Sequence, residues 1–356
     1  MDKIKIVLSE SKKEKPDMKN VGFGTVFTDH MFLMDYTAER GWFDARIVPY
    51  GPLSLSPATA ALHYGAEIFE GMKAYRRPDG KVQFFRPQEN LKRLNNSADR
   101  MGLPKIDEAF VLEAIKTLVA IDQEWVPSEP ATSLYIRPFL ICNDATVNIH
   151  TPNHCLLCVI LCPVGSYYGT NLQPVKIMIE QEDVRAVRGG TGYAKCGGNY
   201  AASLRAGQRA EKLGYSQVLW LDGVHRKYIE EVGSMNVMFK IDGKIITPAL
   251  TGSVLPGITR KSCIELMNSW GIEVEERLVP LEELTTAIDE GRLEEAWGCG
   301  TAAVISPIGW LYCNDREYAI NGGKIGPFAQ KLYDCLTDIQ WGKAEDPFGW
   351  VLPLSK

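Results

Sequence analysis

Apolar and polar residues follow two periods along this chain, and segments of the two kinds alternate. Apolar residues recur every three to four positions, as on one face of a helix, at 87–101, 106–121, 199–213, 258–270 and 281–288. Runs that alternate or are apolar throughout, as in strands, lie at 82–85, 133–142, 155–162, 175–181, 217–221 and 272–279. The segment 234–246 predicts a hairpin that turns at Asp242-Gly243. The pattern predicts a mixed α/β fold.

The length of the chain predicts two domains. Its 356 residues exceed the size at which a single hydrophobic core usually stops growing. Residues 165–171 are rich in Gly, Ser, Tyr, Thr and Asn, a composition typical of a turn-rich linker. We therefore expect a smaller N-terminal α/β domain over 1–164, an interdomain connector over 165–174 and a larger C-terminal domain over 175–356.

Composition and charge exclude several classes of partner. Hydrophobic residues make up 45% and charged residues 23% of the chain, as in ordinary folded proteins. A formal net charge of -5 gives no positive field for nucleic acid or anionic lipid. The short apolar run 4–8 and the late first arginine, Arg40, argue against a secretory or transit peptide. No apolar stretch approaches the roughly 18 to 20 residues of a spanning helix, so we expect a cytoplasmic protein without membrane or nucleic-acid partners.

The nine cysteines do not have the pattern of a disulfide framework, because their number is odd and they are spread along a long chain. Cys155, Cys158 and Cys162 are close enough in sequence to suggest a metal site. However, they lie in one strand-like run, where residues three apart point to opposite faces and cannot hold one ion. We expect reduced, buried cysteines and no metal.

The most unusual segment is 188–200, RGGTGYAKCGGNY, in which glycine pairs flank Lys195. Glycine has no side-chain bulk and accepts positive φ, so this backbone can bend tightly and approach a flat ligand closely. Most lysines are solvated surface charges. A lysine held in a pocket is partly desolvated, which lowers its pKa and leaves a nucleophilic amine. Lys195 is therefore the candidate covalent catalytic residue.

Nine further motifs support a family resemblance, because they occur in order along nearly the whole chain. They are FGTVFTDH (23–30), LHYGAEIFEGMKAYR (62–76), FRPQENLKRL (85–94), SLYIRP (133–138), LLCVILCPVGSYY (156–168), QVLWLDG (217–223), EEVGSMNV (230–237), LPGITR (255–260) and GCGTAAVISPIG (298–309). Together with the lysine segment they resemble the fold-type IV enzymes that use pyridoxal 5′-phosphate (PLP), and within these the branched-chain amino acid aminotransferases. The resemblance implies a two-domain α/β homodimer with its active site at the domain interface and PLP on the C-terminal domain.

The resemblance also implies the cofactor contacts residue by residue. Lys195 would bind PLP as a Schiff base and then carry the proton between the substrate Cα and the cofactor C4′. Glu231 would keep the pyridine nitrogen protonated, with the neighbouring Glu230 as the rival for this role. The other contacts would be Tyr200 at the phenolate oxygen, Ser234 near the ring, and Arg93, Thr301 and the backbone N–H groups of Ile258 and Thr259 at the phosphate. A helix start such as 258–259 favours an anion for general physical reasons.

The substrate pocket must accept an aliphatic side chain in one half-reaction and a glutamate side chain in the other. The resemblance implies that the Arg137 guanidinium pairs with the glutamate γ-carboxylate in a forked geometry. Tyr64, Val147 and Ile149 would come from the partner subunit, so a monomer should be inactive. The other pocket residues would be Tyr135 beside Arg137, the apolar walls Phe23, Phe69 and Tyr167, and the backbone N–H groups of Thr301 and Ala302 at the substrate α-carboxylate.

The activity implied by the resemblance is reversible transfer of the amino group of L-leucine, L-isoleucine or L-valine to 2-oxoglutarate. A second hypothesis is another fold-type IV activity, such as a D-amino acid aminotransferase or an aminodeoxychorismate lyase. These relatives share Lys195, Glu231 and the LPG loop but not the SLYIRP and LHYGAEIFEG motifs. A third hypothesis is a PLP-binding or cofactor-storage protein without catalysis, which would bind the cofactor but not react with an amino acid.

Overall fold

The computed structural model of the chain describes residues 3–165 and 172–354, and the chain divides into two compact units. The first unit comprises Met1–Thr170, Ala194–Gly197 and Asp338–Lys356, and the second comprises Asn171–Tyr193 and Gly198–Thr337. Lys195 is therefore part of the first unit, whereas residues 188–193 and 198–200 on either side of it belong to the second. Among the described residues, no helix combines the length and apolarity needed to cross a membrane.

The first half of the chain alternates short strands with two long helices. Pro87 opens one of these helices at a position where its missing N–H is not needed, and the Asp107 side chain caps the other by accepting from the Phe110 N–H at 3.0 Å. Its elements are β1 (Lys5–Ile6), β2 (His30–Thr37), β3 (Gly41–Pro49), α1 (Ala60–Tyr64), β4 (Glu67–Phe69), β5 (Met72–Arg76), β6 (Val82–Phe85), α2 (Pro87–Met101), α3 (Glu108–Ile121), a 3₁₀ turn (Gln123–Trp125), β7 (Ser133–Cys142) and β8 (His154–Val164).

The second half has more strands and shorter helices. Its elements are β9 (Val175–Ile179), α4 (Gly197–Ala201), α5 (Leu204–Lys212), β10 (Gln217–Leu221), β11 (Tyr228–Val232), β12 (Asn236–Ile241), β13 (Lys244–Pro248), α6 (Ile258–Ser269), β14 (Val274–Arg277), β15 (Val279–Pro280), α7 (Leu281–Asp289), β16 (Leu293–Gly300), β17 (Val304–Cys313), β18 (Arg316–Ala319), a 3₁₀ turn (Asn321–Gly323), α8 (Pro327–Gln340) and β19 (Val351–Pro353).

The first unit is a sheet with helices α2 and α3 packed on one face. In the described residues its strand order is β1-β3-β2-β8-β7-β5-β6-β19, with β4 added beside β7. The helices bury Leu91 and Ile115 against Phe32 and Phe84 of the sheet, and Trp125 completes this core. Because β7 and β8 pair over their whole length and bury both faces, they form a rigid centre for the side chains at their ends.

The second unit contains a mixed sheet. Over residues 172–354 its strand order is β14-β13-β12-β16-β17-β9-β10-β11-β15, with β18 added beside β17. Strand β9 pairs in parallel with β10 and with β17, whereas β10 and β11 pair antiparallel. Trp220, Phe239 and Trp297 are fully buried in this unit.

The structure confirms the mixed α/β class and most predicted elements. The predicted helix 87–101 and the strands 82–85, 133–142 and 217–221 have the expected bounds. The hairpin turns where expected, with φ values of 51° at Asp242 and 74° at Gly243. The other predicted elements shift at their ends by a few residues.

Two predicted elements were wrong as continuous units. The predicted helix 199–213 is divided into α4 and α5, because the Ser203 hydroxyl donates to the Tyr200 carbonyl at 2.6 Å and competes with the helical pattern. The predicted strand 272–279 is divided into β14 and β15, which pair with different strands, β13 and β11.

The cysteines of β8 are buried on different faces, as the alternation of a strand predicts. Cys155 packs in the core beneath the helices, whereas Cys158 packs on the opposite face with Met31 and Leu33. Burial raises the pKa of Cys158 to about 12 and that of Cys162 to about 11. These are unreactive structural thiols. The described residues contain no group of three or more side chains placed to hold a metal ion.

Candidate active site

Lys195 is held by its backbone and has a partly buried amine. Its N–H donates to Ser97 Oγ of α2, and its carbonyl accepts from the Phe69 N–H, both at 2.9 Å. Nζ lies 4.7 Å from the centre of the Phe69 ring. Desolvation lowers the pKa of Lys195 to about 8; the nearby Arg93 charge lowers it too, and Glu70 opposes the shift. A useful fraction of the amine is therefore unprotonated near neutral pH.

Two positions near Lys195 require glycine because neighbouring side chains approach closely. A Cβ at Gly197 would lie 2.0 Å from Oε1 of Glu67, which accepts the Gly197 N–H at 2.5 Å. A Cβ at Gly71 would lie 1.9 Å from the Tyr135 hydroxyl. Gly197, one of the glycines of the lysine segment, thus serves close packing beside Lys195.

Arg93 forms a buried, two-point ion pair with Glu70. Its Nε donates to Oε1 at 2.7 Å and its Nη2 donates to Oε2 at 3.0 Å. Asn90 Nδ2 adds a hydrogen bond to Oε2 at 2.8 Å. Burial alone would raise the pKa of Glu70, but Arg93, Lys195 and Asn90 together hold it below its ordinary value. The carboxylate stays ionised and fixes the plane of the guanidinium.

Four of the residues assigned to the substrate pocket lie together in the first unit. Arg137 Cζ is 4.7 Å from the centre of the Phe69 ring, and its Nη2 donates to the Tyr135 hydroxyl at 3.1 Å. Phe23 packs edge-on against Tyr135 with 5.1 Å between ring centres. Phe69 therefore has Lys195 and Arg137 both within cation–π distance.

Glu231 and Glu230, which the sequence left as rivals, lie in different environments in the second unit. Glu231 Oε1 accepts from Arg185 Nη2 at 3.2 Å and from the Leu255 N–H at 2.6 Å. Glu230 accepts from the Ser253 hydroxyl instead. Adjacent residues of a strand point to opposite faces. Both carboxylates are thus bonded to the loop that leads into α6, Glu230 at Ser253 and Glu231 at Leu255, and only Glu231 is also paired with Arg185 among the described residues.

The N-terminus of helix α6 has the features of an anion-binding site. Gly257 occupies the N-cap and has no side chain to satisfy the first N–H groups, which include those of Ile258 and Thr259. Asn236 Nδ2 donates to the Leu255 carbonyl at 2.9 Å, and a Cβ at Gly257 would lie 1.9 Å from Asn236 Oδ1. This close packing fixes the loop before the helix.

The remaining residues assigned to the cofactor and substrate lie at other places in the second unit. Cys299 pairs with Asn236, so the segment after β16 starts beside the beginning of β12. That segment carries Thr301 and Ala302, both half-buried; Ser234 is exposed in the turn between β11 and β12, and Tyr200 is half-buried in α4.

The side chains assigned to a partner subunit are exposed on this chain. Tyr64 is 43%, Val147 65% and Ile149 80% exposed. The Tyr64 hydroxyl donates to the Val147 carbonyl, which links α1 to the loop between β7 and β8. Tyr167 lies outside the described residues.

A buried aspartate holds the loop that carries Val147 and Ile149. Asp144 accepts from the Asn153 N–H at 2.8 Å and contacts His154 Nδ1 at 2.6 Å and His150 Nε2 at 3.0 Å. Burial alone would raise the pKa of Asp144, but the hydrogen bonds from Asn153 and His154 lower it to about 2. The loop is therefore closed by an ionised carboxylate.

Asp144→Asn should loosen this loop in a pH-dependent way. The folded pKa is depressed from 3.8 to about 2. The stabilisation is therefore complete above about pH 4 and is lost as pH falls toward 2, with a magnitude of about 2 kcal/mol. Urea unfolding at several pH values should show a wild-type advantage that shrinks on acidification. The exposed Asp79→Asn is the control, and a pH-independent difference would contradict the role of the charge.

Comparison with known proteins assigns the family. Residues 67–309 match the family described as Amino-transferase class IV. Branched-chain-amino-acid aminotransferase 2 of Bacillus subtilis (strain 168) is 55% identical over 352 residues, which cover 99% of this chain and 97% of the relative. The chain belongs to the branched-chain-amino-acid aminotransferases.

Solved structures of other branched-chain aminotransferases share the fold. The Escherichia coli enzyme aligns with a TM-score of 0.77 and 27% identity, covering 92% of this chain and 99% of the other. The enzyme of the thermophilic archaeon Thermoproteus uzoniensis, solved with norvaline, aligns with a TM-score of 0.76 and 25% identity, covering 92% and 100%. The class IV aminotransferases depend on PLP. The family resemblance and the enzymatic class inferred from the sequence are confirmed.

Three buried residues beside the predicted site of this branched-chain aminotransferase were missed from the sequence. Glu70 lies in the apolar run 68–72, where a charge signals a buried partner, so this signal was available. Lys73 pairs in register with Tyr135 and is 4% exposed; burial lowers its pKa to about 7. Arg185, the partner of Glu231, stands in a polar stretch that gave no signal.

Proposed function

We propose that this enzyme is a cytoplasmic homodimer that transfers the amino group of L-leucine, L-isoleucine or L-valine to 2-oxoglutarate, with PLP linked covalently to Lys195. The observation that carries the proposal is the Lys195 amine, whose pKa is lowered to about 8 beside the Phe69 ring. An amine that is partly unprotonated near neutral pH attacks an aldehyde readily.

The chemistry of the donor set fits PLP, which has an aldehyde, a pyridine nitrogen and a phosphate. Lys195 matches the aldehyde. Glu231, 3% exposed and bonded to Arg185, matches a protonated nitrogen. The glycine-capped start of α6 offers N–H groups to a phosphate. Arg93 has more N–H donors than one carboxylate can accept, so it can hold Glu70 and a phosphate oxygen together.

The protein residues have distinct proposed roles in proton transfer. When bound, PLP supplies an electron sink for the charge left when the substrate Cα loses its proton. Lys195 would remove the proton from the substrate Cα and would return it at the cofactor C4′ carbon. Glu231 would hold the proton on the ring nitrogen, and Arg185 forms an ion pair with its carboxylate. Tyr200, Ser234 and Thr301 hold the cofactor in place.

Arg137 and the apolar side chains around it are proposed to recognise two different substrates, 2-oxoglutarate and a branched-chain amino acid. The Tyr135 hydroxyl fixes the Arg137 guanidinium, which would bind the distal carboxylate of 2-oxoglutarate. Phe23, Phe69 and Tyr167 would face an aliphatic side chain, and the N–H groups of Thr301 and Ala302 would bind the α-carboxylate. Exposed Tyr64, Val147 and Ile149 are suited to close the partner's pocket, because exposed apolar side chains favour burial at a contact.

Arg137→Gln should separate the two half-reactions. Loss of a charged donor to a carboxylate costs about 1.5–3 kcal/mol, so kcat/KM for 2-oxoglutarate should fall about 10- to 150-fold. The value for the half-reaction with L-leucine should change much less, as single-turnover spectra with each substrate will measure. Arg40→Gln is the control, since Arg40 also stacks on an aromatic ring, at 3.9 Å from Phe43. Equal losses for both substrates would remove Arg137 from carboxylate recognition.

The overall assignment is tested by titrating the purified holoenzyme with amino acids while its visible spectrum is recorded. L-Leucine, L-isoleucine or L-valine should convert the cofactor band, and D-alanine and aminodeoxychorismate should not. A PLP-storing protein would show the band but no conversion with any of them. Negligible turnover of leucine would refute the proposed function.

A further inference from the structure

The second unit contains a cavity of about 370 Å³ that the proposed reaction does not use. Its walls are mostly apolar, and two of the side chains that line it, Val224 and Leu278, are 69% and 49% exposed. Val254 lines it from a buried position, 2% exposed. The volume lies in the range of small-molecule sites.

A carboxylate with one unsatisfied oxygen lines this cavity. Glu230 is 6% exposed; its Oε1 accepts from the Ser253 hydroxyl, whereas Oε2 has no hydrogen-bond partner within residues 3–165 and 172–354. Leaving a buried acceptor unpaired is unfavourable. A ligand that donates a hydrogen bond to Oε2 would recover this free energy.

The other charged groups at the cavity narrow the choice of ligand. Asp222 is already satisfied, because it accepts from the backbone N–H groups of Val224, His225, Lys227 and Tyr228. Arg188 is exposed, lines the cavity and makes no ion pair with the described residues. Glu230, at the buried end of the cavity, therefore favours a cation that donates a hydrogen bond. Arg188, at the exposed end, offers a positive charge.

We propose that this cavity binds an aliphatic ammonium compound, with its N–H on Glu230 Oε2 and its alkyl group against Val224, Val254 and Leu278. The ammonium group belongs either to a simple amine or to an aliphatic amino acid. In the second case the carboxylate of the ligand pairs with Arg188.

The cavity is connected to Glu231 without being part of the proposed cofactor site. Glu230 and Glu231 are neighbours on β11 with opposite orientations. Ser253 bonds to Glu230 through its hydroxyl and accepts from Arg185 through its carbonyl, and Arg185 pairs with Glu231. A ligand bound to Glu230 would thus contact the hydrogen-bond partner of Ser253. Ser253 in turn bonds to Arg185, which forms the ion pair with Glu231.

The test is calorimetric titration of the PLP-loaded enzyme with N,N-dimethylisobutylammonium. This tertiary amine cannot form an imine with PLP and has a single N–H for the single unpaired oxygen. We expect one site per chain with Kd in the millimolar range or below. Glu230→Gln should weaken binding at least about tenfold, as for a lost charge-assisted hydrogen bond. Ala249→Leu, which adds bulk at another residue of the cavity lining, should do the same, and exposed Glu211→Gln should bind normally.

A second titration distinguishes the two sources of the ammonium group. N,N-Dimethyl-L-valine adds a carboxylate to the same tertiary amine. Tighter binding that Arg188→Ala reverses indicates an amino acid, and equal binding of both probes indicates a simple amine. The proposal is overturned if neither probe binds, if Glu230→Gln and Ala249→Leu bind as well as the wild type, or if the anion isovalerate binds in their place. These outcomes do not depend on transamination, so they leave the proposed function untouched.

Discussion

Lys195→Ala should remove the visible band of bound PLP and lower kcat by about three orders of magnitude or more, because one residue provides both the covalent attachment and the proton carrier. Absorbance of the purified variant and steady-state assays with L-leucine and 2-oxoglutarate measure the two effects. The Lys195 carbonyl and N–H bonds are backbone bonds, so the substitution should leave the fold intact.

Lys73 is the matched control because it is a second buried lysine of the same unit with a lowered pKa, about 7. Lys73→Met should keep the band. Borohydride reduction of the wild type followed by peptide mass mapping should then find the pyridoxyl group at Lys195 and not at Lys73. An adduct on Lys73, or activity in Lys195→Ala, would contradict the mechanism.

Arg93→Ala should cost more than cofactor affinity. Its removal leaves Glu70, which is 0% exposed, as a buried carboxylate that keeps the Asn90 hydrogen bond but loses its ion-pair partner. Breaking a buried pair from one side typically costs about 3–5 kcal/mol. We expect this loss in the free energy of unfolding, measured by urea denaturation. If Arg93 also binds the phosphate, the free energy of PLP binding should in addition become less favourable by about 1.5–3 kcal/mol.

The double variant Arg93→Ala, Glu70→Gln separates these two effects. Removing the charge of Glu70 should restore most of the free energy of unfolding but none of the PLP affinity. Lys92→Ala, an exposed position on the same helix, is the control and should change neither quantity. A PLP affinity that recovers together with stability would show that Arg93 acts only through the fold.

Sequence periodicity was sufficient for elements whose burial alone decides their structure. The 87–101 helix and the 133–142 strand have the predicted bounds because their apolar faces are long and unambiguous. Periodicity was insufficient where local hydrogen bonds compete with it. Ser203 interrupts a helix through its hydroxyl, and no property of the apolar pattern reveals that bond.

The candidate site was predictable in its residue types but not in its pairings. The glycine-flanked Lys195 and the start of α6 carry signals of their own in the sequence. In contrast, the Arg93–Glu70 and Arg185–Glu231 pairs join residues 23 and 46 positions apart. Such contacts arise from the arrangement of strands and helices, which single-chain patterns do not specify.

The contact between position 71 and the Tyr135 hydroxyl has a consequence for engineering of the enzyme. Even without its hydroxyl, the ring carbon Cζ would lie 2.7 Å from a Cβ at position 71, so Phe at 135 does not relieve the clash. A residue larger than glycine at 71 should therefore be accepted only together with an aliphatic or smaller side chain at 135. A combinatorial library selected for transamination of leucine should lack variants that keep an aromatic ring at 135 and have a residue larger than glycine at 71.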